Sequence, residues 1–395
     1  MARTQAVSTS VRELVLTSFR SYGSLLMQPD HRPVVLAGPN GAGKTNLLEA
    51  ISLLAPGRGL RRAELKDLIH GQVPGNGDHR TTPKTPKTMW AISALIDNCG
   101  EQIRVGTGIE EKQTGYRRIV RINGEAAGGP NILGQYVRAV WLTPAMDRLF
   151  VEGAGLRRRF LDRLVLSIDP DHAARVAAYE RAMRDRQQLL KEDTNDADWL
   201  SALEATMVEK GVAIAAARLD LVSRLRATFD TGPDGAFPRV DVALDGKLET
   251  ALSERPAVDV EGHFGTALAA SRSQDARAGR ALHGPHRCDL VVHHSATGKP
   301  ARTCSTGEQK ALLIAIVLAH ARALKAQDMA KTPILLLDEV VAHLDETRRA
   351  ALFDEISELE CQAWLTGTDR ALFAPFGARA QHFTVADGRV FSVHA

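Results

Sequence analysis

The chain has 395 residues, of which 44% are hydrophobic and 25% charged, and its net charge is only +3. Such a chain folds into two or three ordinary domains and is excluded from those that bind nucleic acid through bulk charge, so any hold on a phosphate backbone must come from local patches. Its four cysteines form no C-x-x-C pair, its N-terminus lacks the apolar core of a signal peptide, and no apolar run approaches the ~20 residues that span a bilayer, so a reduced, cytoplasmic protein is expected.

Residues 11–19, VRELVLTSF, alternate apolar and polar as a half-buried strand does, and a polar turn follows at 20–24. Residues 34–51, VVLAGPNGAGKTNLLEAI, then read as strand, loop and helix in unbroken succession. Val34, Val35 and Leu36 suit a buried strand, Gly38, Gly41 and Gly43 a tight turn, and Leu47, Leu48 and Ile51 recur at helical spacing. The pattern G-x-x-x-x-G-K-[ST] is complete at Gly38, Gly43, Lys44 and Thr45. Its glycines let successive N–H groups turn inward toward phosphate oxygens, and the helix behind them adds its positive end. Gly38, Pro39, Asn40, Gly41, Ala42, Gly43, Lys44, Thr45 and Asn46 are therefore the candidate triphosphate-binding residues. By the mechanics of the motif, Lys44 reaches the β- and γ-phosphates and Thr45 offers its hydroxyl to Mg²⁺.

Behind this helix stand Arg58, Arg61 and Arg62, which either contact nucleotide or DNA or line a solvated turn. Residues 70–88 are rich in Gly, Pro and Thr and predict a surface insertion. Four strands are expected at 89–97, 102–107, 117–122 and 137–143, forming an antiparallel β-lobe with turns such as Asn123-Gly124. From 156 the pattern becomes helical. LRRRFLDRLVLSI opens with Arg157, Arg158 and Arg159, and an apolar stripe running from Val176 to Leu190 resumes from Leu200 to Leu225 after the polar turn KEDTNDA. An antiparallel helical hairpin with a longer arm of about 40–50 Å follows from 1.5 Å of rise per residue. Residues 239–244 and 258–260 predict small strands, a polar helix ends near Arg280, and core-like strands return from His283.

Residues 332–345, TPILLLDEVVAHLD, end a buried strand in two carboxylates. Asp338 sits where P-loop ATPases hold Mg²⁺, and Glu339 is placed to polarise the attacking water. Upstream, CSTGEQKALLIAIVLAHA predicts a long apolar helix opened by Ser305, Thr306 and Gly307, whose N-terminus is a second anion site.

Ser305-Thr306-Gly307-Glu308-Gln309 resembles the signature motif of ABC-type ATPases, and Ala342-His343-Leu344-Asp345 resembles their D-loop. That resemblance implies that Ser305, Gly307 and Asp345 face a nucleotide held by the P-loop of a second copy, giving a two-fold homodimer around two ATP molecules. Roughly 260 positions separate Lys44 from Ser305, filled by a β-lobe and a helical hairpin, which argues against a transporter energy-coupling subunit and for the SMC-like branch. Within it the hairpin is too short for a long coiled coil and holds no zinc-hook cysteine. The chain resembles the RecF family over nearly its whole length, in LVLTSFRSYGSL, GPNGAGKTNLLEAI, GRGLR, GLRRRFLDRL, GPHRCDL and STGEQKALLIAIVLAHA. It departs from the family pattern at Glu339, where Asp is frequent, and at Cys288, where a second acid is usual.

The resemblance implies an α/β P-loop ATPase head with an antiparallel β-lobe, interrupted by a helical-hairpin domain, in segments 1–155, 156–280 and 281–395. It implies ATP and Mg²⁺ as cofactors, Lys44, Asp338 and Glu339 as catalytic residues, and Thr45 and Asp338 as metal ligands, with Thr368 or Asp369 as γ-phosphate sensor. It further implies a weak, DNA-stimulated ATPase of recombinational repair and replication restart. By the same resemblance its ATP-bound dimer is expected to clamp duplex DNA near single-strand gaps, with RecO and RecR as partners in loading RecA, and the lack of any base-reading module predicts little sequence preference. Arg157, Arg158 and Arg159, together with Arg61 and Arg62, are candidate DNA contacts, as are Arg181, Arg184 and Arg186. An SMC-like repair ATPase, a transporter ATPase and an ATP-binding scaffold with little turnover are the rival readings.

Overall fold

The computed structural model describes residues 8–71, 89–113, 115–192, 196–232, 235–328 and 332–393. Most of the expected insertion at 70–88 lies outside them. The chain divides into two compact units, one of residues 1–146 with 321–395 and one of residues 147–320.

The first unit holds two six-stranded sheets. In one, β1 (Ser10–Phe19) is flanked by β2 (Tyr22–Met27) and β4 (Ala91–Asn98), and β5 (Glu101–Lys112), β6 (Gly115–Ile122) and β7 (Glu125–Ala126) complete an antiparallel lobe. The turns agree with local chemistry. Asn123-Gly124 adopts φ 50° and 89°, the pair of left-handed residues that a tight β-turn between right-twisted strands requires.

The second sheet runs β14-β13-β3-β12-β11-β8, with β3 (Val34–Ala37), β8 (Ala139–Leu142), β11 (Ile334–Leu337), β12 (Ala363–Gly367) and β13 (Gln381–Ala386) parallel and β14 (Arg389–Val393) antiparallel at one edge. The expectation that 137–143 joins the antiparallel lobe is therefore corrected. Every residue of β8 is buried, and AVWL is a continuous apolar run of the kind a parallel strand covered on both faces needs. Helix α1 (Lys44–Ser52) follows β3, and α9 (Glu346–Leu359) lies between β11 and β12.

The second unit is mainly helical. It contains α2 (Ala154–Ile168), α3 (His172–Lys191), α4 (Ala197–Thr231), α5 (Lys247–Glu254), α6 (Ala257–Ala270) and α7 (Arg272–Ala278), plus the antiparallel pair β9 (Val240–Asp245) and β10 (Asp289–His294). Helix α8 (Thr306–Gln327) starts here as well. Arg186 of α3 bonds Glu204 of α4, while Tyr179 packs on Gly211, so the two helices run antiparallel as expected. At 35 residues α4 is about 50 Å long. Residues 258–260 are not a strand. Val260, Phe264 and Leu268 put one face of α6 into the core of this unit, a helical spacing that three residues alone could not disclose. Nor does the chain return to the parallel sheet at His283, because β10 pairs with β9. That pairing carries the second unit past the expected boundary at 281; the unit spans 147–320, and its first helix begins at Ala154.

Candidate functional site

In doubly wound sheets the ligand crevice lies beyond the carboxyl ends of the parallel strands. Here β3 delivers the loop 38–43, with β12 beside it and β11 next. The loop must be glycine where it is. A Cβ on Gly38 would come within 2.1 Å of the Val385 carbonyl oxygen. Gly43 has φ 108°, and a Cβ there would meet Ser21 Oγ at 2.6 Å and Tyr22 Oη at 2.8 Å. The Tyr22 hydroxyl donates to the Gly43 carbonyl at 3.0 Å and so ties the lobe's second strand to the loop.

Lys44 opens α1 and is 4% exposed. Its ammonium donates to the carbonyls of Gly38 at 2.6 Å and Pro39 at 2.9 Å. Burial lowers its pKa, and the carboxylates of Glu339 and Asp338 pull the other way. The cation therefore sits over the mouth of its own loop with two carboxylates acting on it.

Asp338 follows β11, is buried, and carries two hydroxyls on a single oxygen. Thr45 Oγ1 donates to Asp338 Oδ1 at 2.9 Å and Thr366 Oγ1 donates to the same atom at 2.8 Å. Thr366 in turn accepts the Glu339 N–H at 2.9 Å. One side chain of the intervening strand β12 thus fixes both acidic residues of β11's end. Glu339 has φ 53°, a left-handed backbone uncommon for a residue other than glycine and of the strained kind that gathers at functional sites. The donor set at Thr45 and Asp338 is hard oxygen, a hydroxyl and a carboxylate side by side, which fits Mg²⁺ held by few protein ligands and by phosphate.

A polar shell braces α1. Arg20 grips Glu49 with two 2.9 Å hydrogen bonds, Asn46 donates to Ser21 Oγ at 2.9 Å, and Arg61 donates to Asn46 Oδ1 at 2.9 Å. In the second unit, Ser305 and Glu308 form a reciprocal cap at the start of α8. Ser305 N and Oγ donate to Glu308 Oε2 at 2.7 and 2.8 Å, and the Glu308 N–H returns to Ser305 Oγ at 3.3 Å. These bonds hold the Glu308 carboxyl below its ordinary pKa. Ser305 and Gly307 are exposed. Asp345, in the first unit, caps α9 through the Arg348 N–H at 2.8 Å.

The sequence model of the RecF/RecN/SMC N-terminal domain matches residues 10–376. The DNA replication and repair protein RecF of Mesorhizobium japonicum is 51% identical over 383 residues, covering 97% of each chain. That of Rhizobium johnstonii is 49% identical over 97% of this chain and 98% of its own. The chain belongs to the RecF family. Solved structures agree on the fold. The recombination mediator protein RecF–ATPrS of the RecFOR pathway superposes with a TM-score of 0.80 at 20% identity, spanning 98% of this chain and 100% of that one. An Smc head domain from Pyrococcus furiosus, bound to the C-terminal domain of ScpA, gives 0.51 at 17% identity, over 98% and 96%. The fold is that of RecF and SMC head ATPases, as expected from the motifs.

Within this RecF-family chain the expected site residues separate into groups. Lys44, Thr45, Asp338 and Glu339 converge at the strand ends as described. Thr368 and Asp369 are exposed, and Asp369 caps the next turn through the Ala371 N–H at 2.8 Å. Thr366, two residues earlier, is the residue that bridges the acids. Its signal was a hydroxyl closing an apolar strand, AWLTG, next to a P-loop strand in the sheet. Tyr22 and Ser21 were also missed, because only the packing of the lobe brings them to Gly43. Among the arginines expected on DNA, Arg157 holds both oxygens of Asp289 at 2.7 and 2.8 Å, and Arg158 donates to the Cys288 carbonyl at 2.7 Å. Arg186 is 1% exposed and ion-paired on both sides, so it belongs to the core of the helical unit and not to a DNA-facing patch. Arg159, Arg62, Arg181 and Arg184 are exposed. Among the described residues no helix is long and apolar enough to cross a membrane.

Proposed function

We propose that this chain is a cytoplasmic, ATP-dependent DNA-binding protein of replication and repair, in which two copies close head to tail over two ATP molecules and clamp duplex DNA beside single-strand gaps. The observation that carries the reading is the linkage Thr45–Asp338–Thr366–Glu339, which joins the ends of three parallel strands into one polar unit at the mouth of a phosphate loop. Membership of the RecF family and the DNA replication and repair assignment of its relatives support the DNA half.

The residues have separate tasks. Lys44 exchanges its two loop carbonyls for β- and γ-phosphate oxygens, which keeps its buried charge satisfied throughout. Thr45 and Asp338 would hold Mg²⁺, which would supply neutralisation of charge on the phosphates. Glu339, positioned by Thr366, orients a water for in-line attack on the γ-phosphorus; the β–γ bridging P–O bond breaks, leaving ADP and phosphate. Ser305 of the second copy trades Glu308 for a γ-phosphate oxygen, so binding of the triphosphate favours the dimer and its loss releases DNA. Turnover is slow and stimulated by DNA, and RecO and RecR act with the clamp in loading RecA, as in a RecFOR-type pathway.

Sedimentation with Mg·ATP tests the dimer. Wild type is expected to dimerise while Ser305→Arg stays monomeric with ATP affinity within about threefold of wild type, since the substitution blocks only the trans contact. Equal dimerisation of both would remove the sandwich. ATPase assays with and without DNA test the rest. DNA-independent turnover together with no DNA binding under any nucleotide would remove the repair reading.

A further inference from the structure

The segment GPHRCDL, residues 284–290, leads into β10 and is not used by the nucleotide chemistry. Six of its seven residues face inward or are tied down. Gly284 has φ 134°, and a Cβ there would lie 2.1 Å from the Tyr179 hydroxyl. Pro285 is buried, and its carbonyl accepts a 2.7 Å hydrogen bond from Arg218, which is itself held at two points by Asp162 at 2.8 and 2.9 Å. Both ring nitrogens of His286 are engaged, Nδ1 with the Tyr179 hydroxyl at 2.7 Å and Nε2 with the Ala281 carbonyl at 3.0 Å. Cys288 is buried with its carbonyl on Arg158, Asp289 is occupied by both ends of Arg157, and Leu290 is buried.

Arg287 differs. Its backbone N–H donates to the Gly284 carbonyl at 3.0 Å, but its side chain is exposed and, among the described residues, makes no hydrogen bond or ion pair. Asp289 and Asp162, in the same network, are bonded to Arg157 and Arg218. Arg158 lies close by, and its charge and that of Arg287 both act on His286. The result is one exposed guanidinium on a turn whose other residues are held by packing and hydrogen bonds, with Arg158 close by.

We propose that Arg287 is a DNA-contacting residue that binds phosphodiester oxygens of the duplex backbone, with the rest of GPHRCDL as the rigid mount that aims it. This rests on the DNA-binding reading above and adds the surface that reading leaves open. A planar guanidinium on a fixed mount matches the two free oxygens of a phosphate and carries no base information, as a clamp with little sequence preference requires.

The test is fluorescence anisotropy of the full chain with a labelled duplex of mixed sequence, at saturating Mg·ATP and salt from about 50 to 200 mM. Arg287→Ala is expected to weaken binding about three- to tenfold and to reduce the slope of log K against log salt by about 1, the signature of one lost phosphate contact. Arg287→Lys keeps most of the affinity, and Arg255→Ala, an exposed arginine elsewhere in the same unit, leaves both quantities unchanged. The proposal is overturned if Arg287→Ala matches wild type in affinity and slope, or if Arg255→Ala loses as much. It is equally overturned if Arg287→Ala loses DNA-free ATPase turnover with DNA affinity intact, which would assign the arginine to nucleotide or to a protein carboxylate. Failure of wild type itself to bind DNA would instead sink the DNA reading, so the two failures are distinguishable.

Discussion

In the P-loop unit the buried ammonium of Lys44 donates to two loop carbonyls, with two carboxylates acting on it from β11's end, whereas in the helical unit the buried guanidinium of Arg186 is closed in on all sides. Glu204 takes Arg186 Nε at 2.8 Å, Asp275 takes Nη1 at 2.7 Å, and the Leu268 carbonyl takes Nη2 at 2.8 Å. Asp275 is filled in turn by the Ser271 hydroxyl at 2.8 Å and the Leu282 N–H at 3.0 Å. Both cations are buried, yet only the first has partners that a ligand can replace without stranding a charge. Carbonyl oxygens of a loop can turn to other donors, while a carboxylate at 0% exposure has nowhere else to go. The buried charge of one unit has exchangeable partners, and that of the other is locked into the architecture.

Removing one partner from each network should separate these roles. Asp275→Ala is expected to cost about 3–5 kcal/mol, since it leaves Arg186 buried and short of a counter-charge. Hydrogen-exchange protection of α3 and α4 measures it. Lys44→Ala should barely change that protection but abolish ATP binding, and a destabilisation equal to that of Asp275→Ala would erase the distinction.

Acid should act on the helical unit in the same sense. Burial raises the Glu204 pKa, but hydrogen bonds from Arg272 and Arg186 outweigh it and hold the carboxyl below its ordinary value of 4.5. A group depressed in the folded state stabilises above its unfolded pKa and loses that contribution as pH falls through the folded one. Protection of α3 and α4 is therefore expected to be flat above about pH 5 and to decline below it. Glu204→Gln should flatten the decline, and an unchanged pH profile in that variant would assign acid sensitivity elsewhere.

Smaller effects belong to the polar ends of the nucleotide strands. Thr366→Val removes the bridge between Asp338 and Glu339, and a lost buried hydrogen bond of about 1–3 kcal/mol corresponds to a roughly five- to 160-fold fall in turnover. ATP affinity should change less than threefold, and single-turnover assays separate the two. Turnover equal to wild type would show that Glu339 is positioned by something other than β12. Smallest is Glu308→Ala, which opens the exposed cap of α8 and is expected to lower the chemical-denaturation midpoint only slightly.

Much of the nucleotide half was legible in the residues. The loop from Gly38 to Thr45 and the acids after Ile334–Leu337 announce themselves because the chemistry is local: a fixed spacing of glycines, a lysine and a hydroxyl, then an apolar strand ending in charge. Antiparallel pairing of the lobe and of α3 with α4 was equally readable, since short turns join neighbours. The arginines were read least well, because a run of positive charge looks the same whether its partners are water, DNA or an aspartate more than a hundred positions away, as Asp289 is for Arg157.

By itself the sequence determined the periodic and the contiguous: most of the longer strands and helices, the loop pattern that marks a candidate phosphate site, and that the chain is of the RecF kind. Only tertiary structure decided that β8 leaves the lobe to pair with β11, that Thr366 bridges the acids, and that Arg186 is sealed inside while Arg287 is left outside. The physical reason is common to all three. Hydrogen bonds and ion pairs form between groups brought together by burial of distant apolar faces, and one-dimensional spacing carries no record of which faces meet.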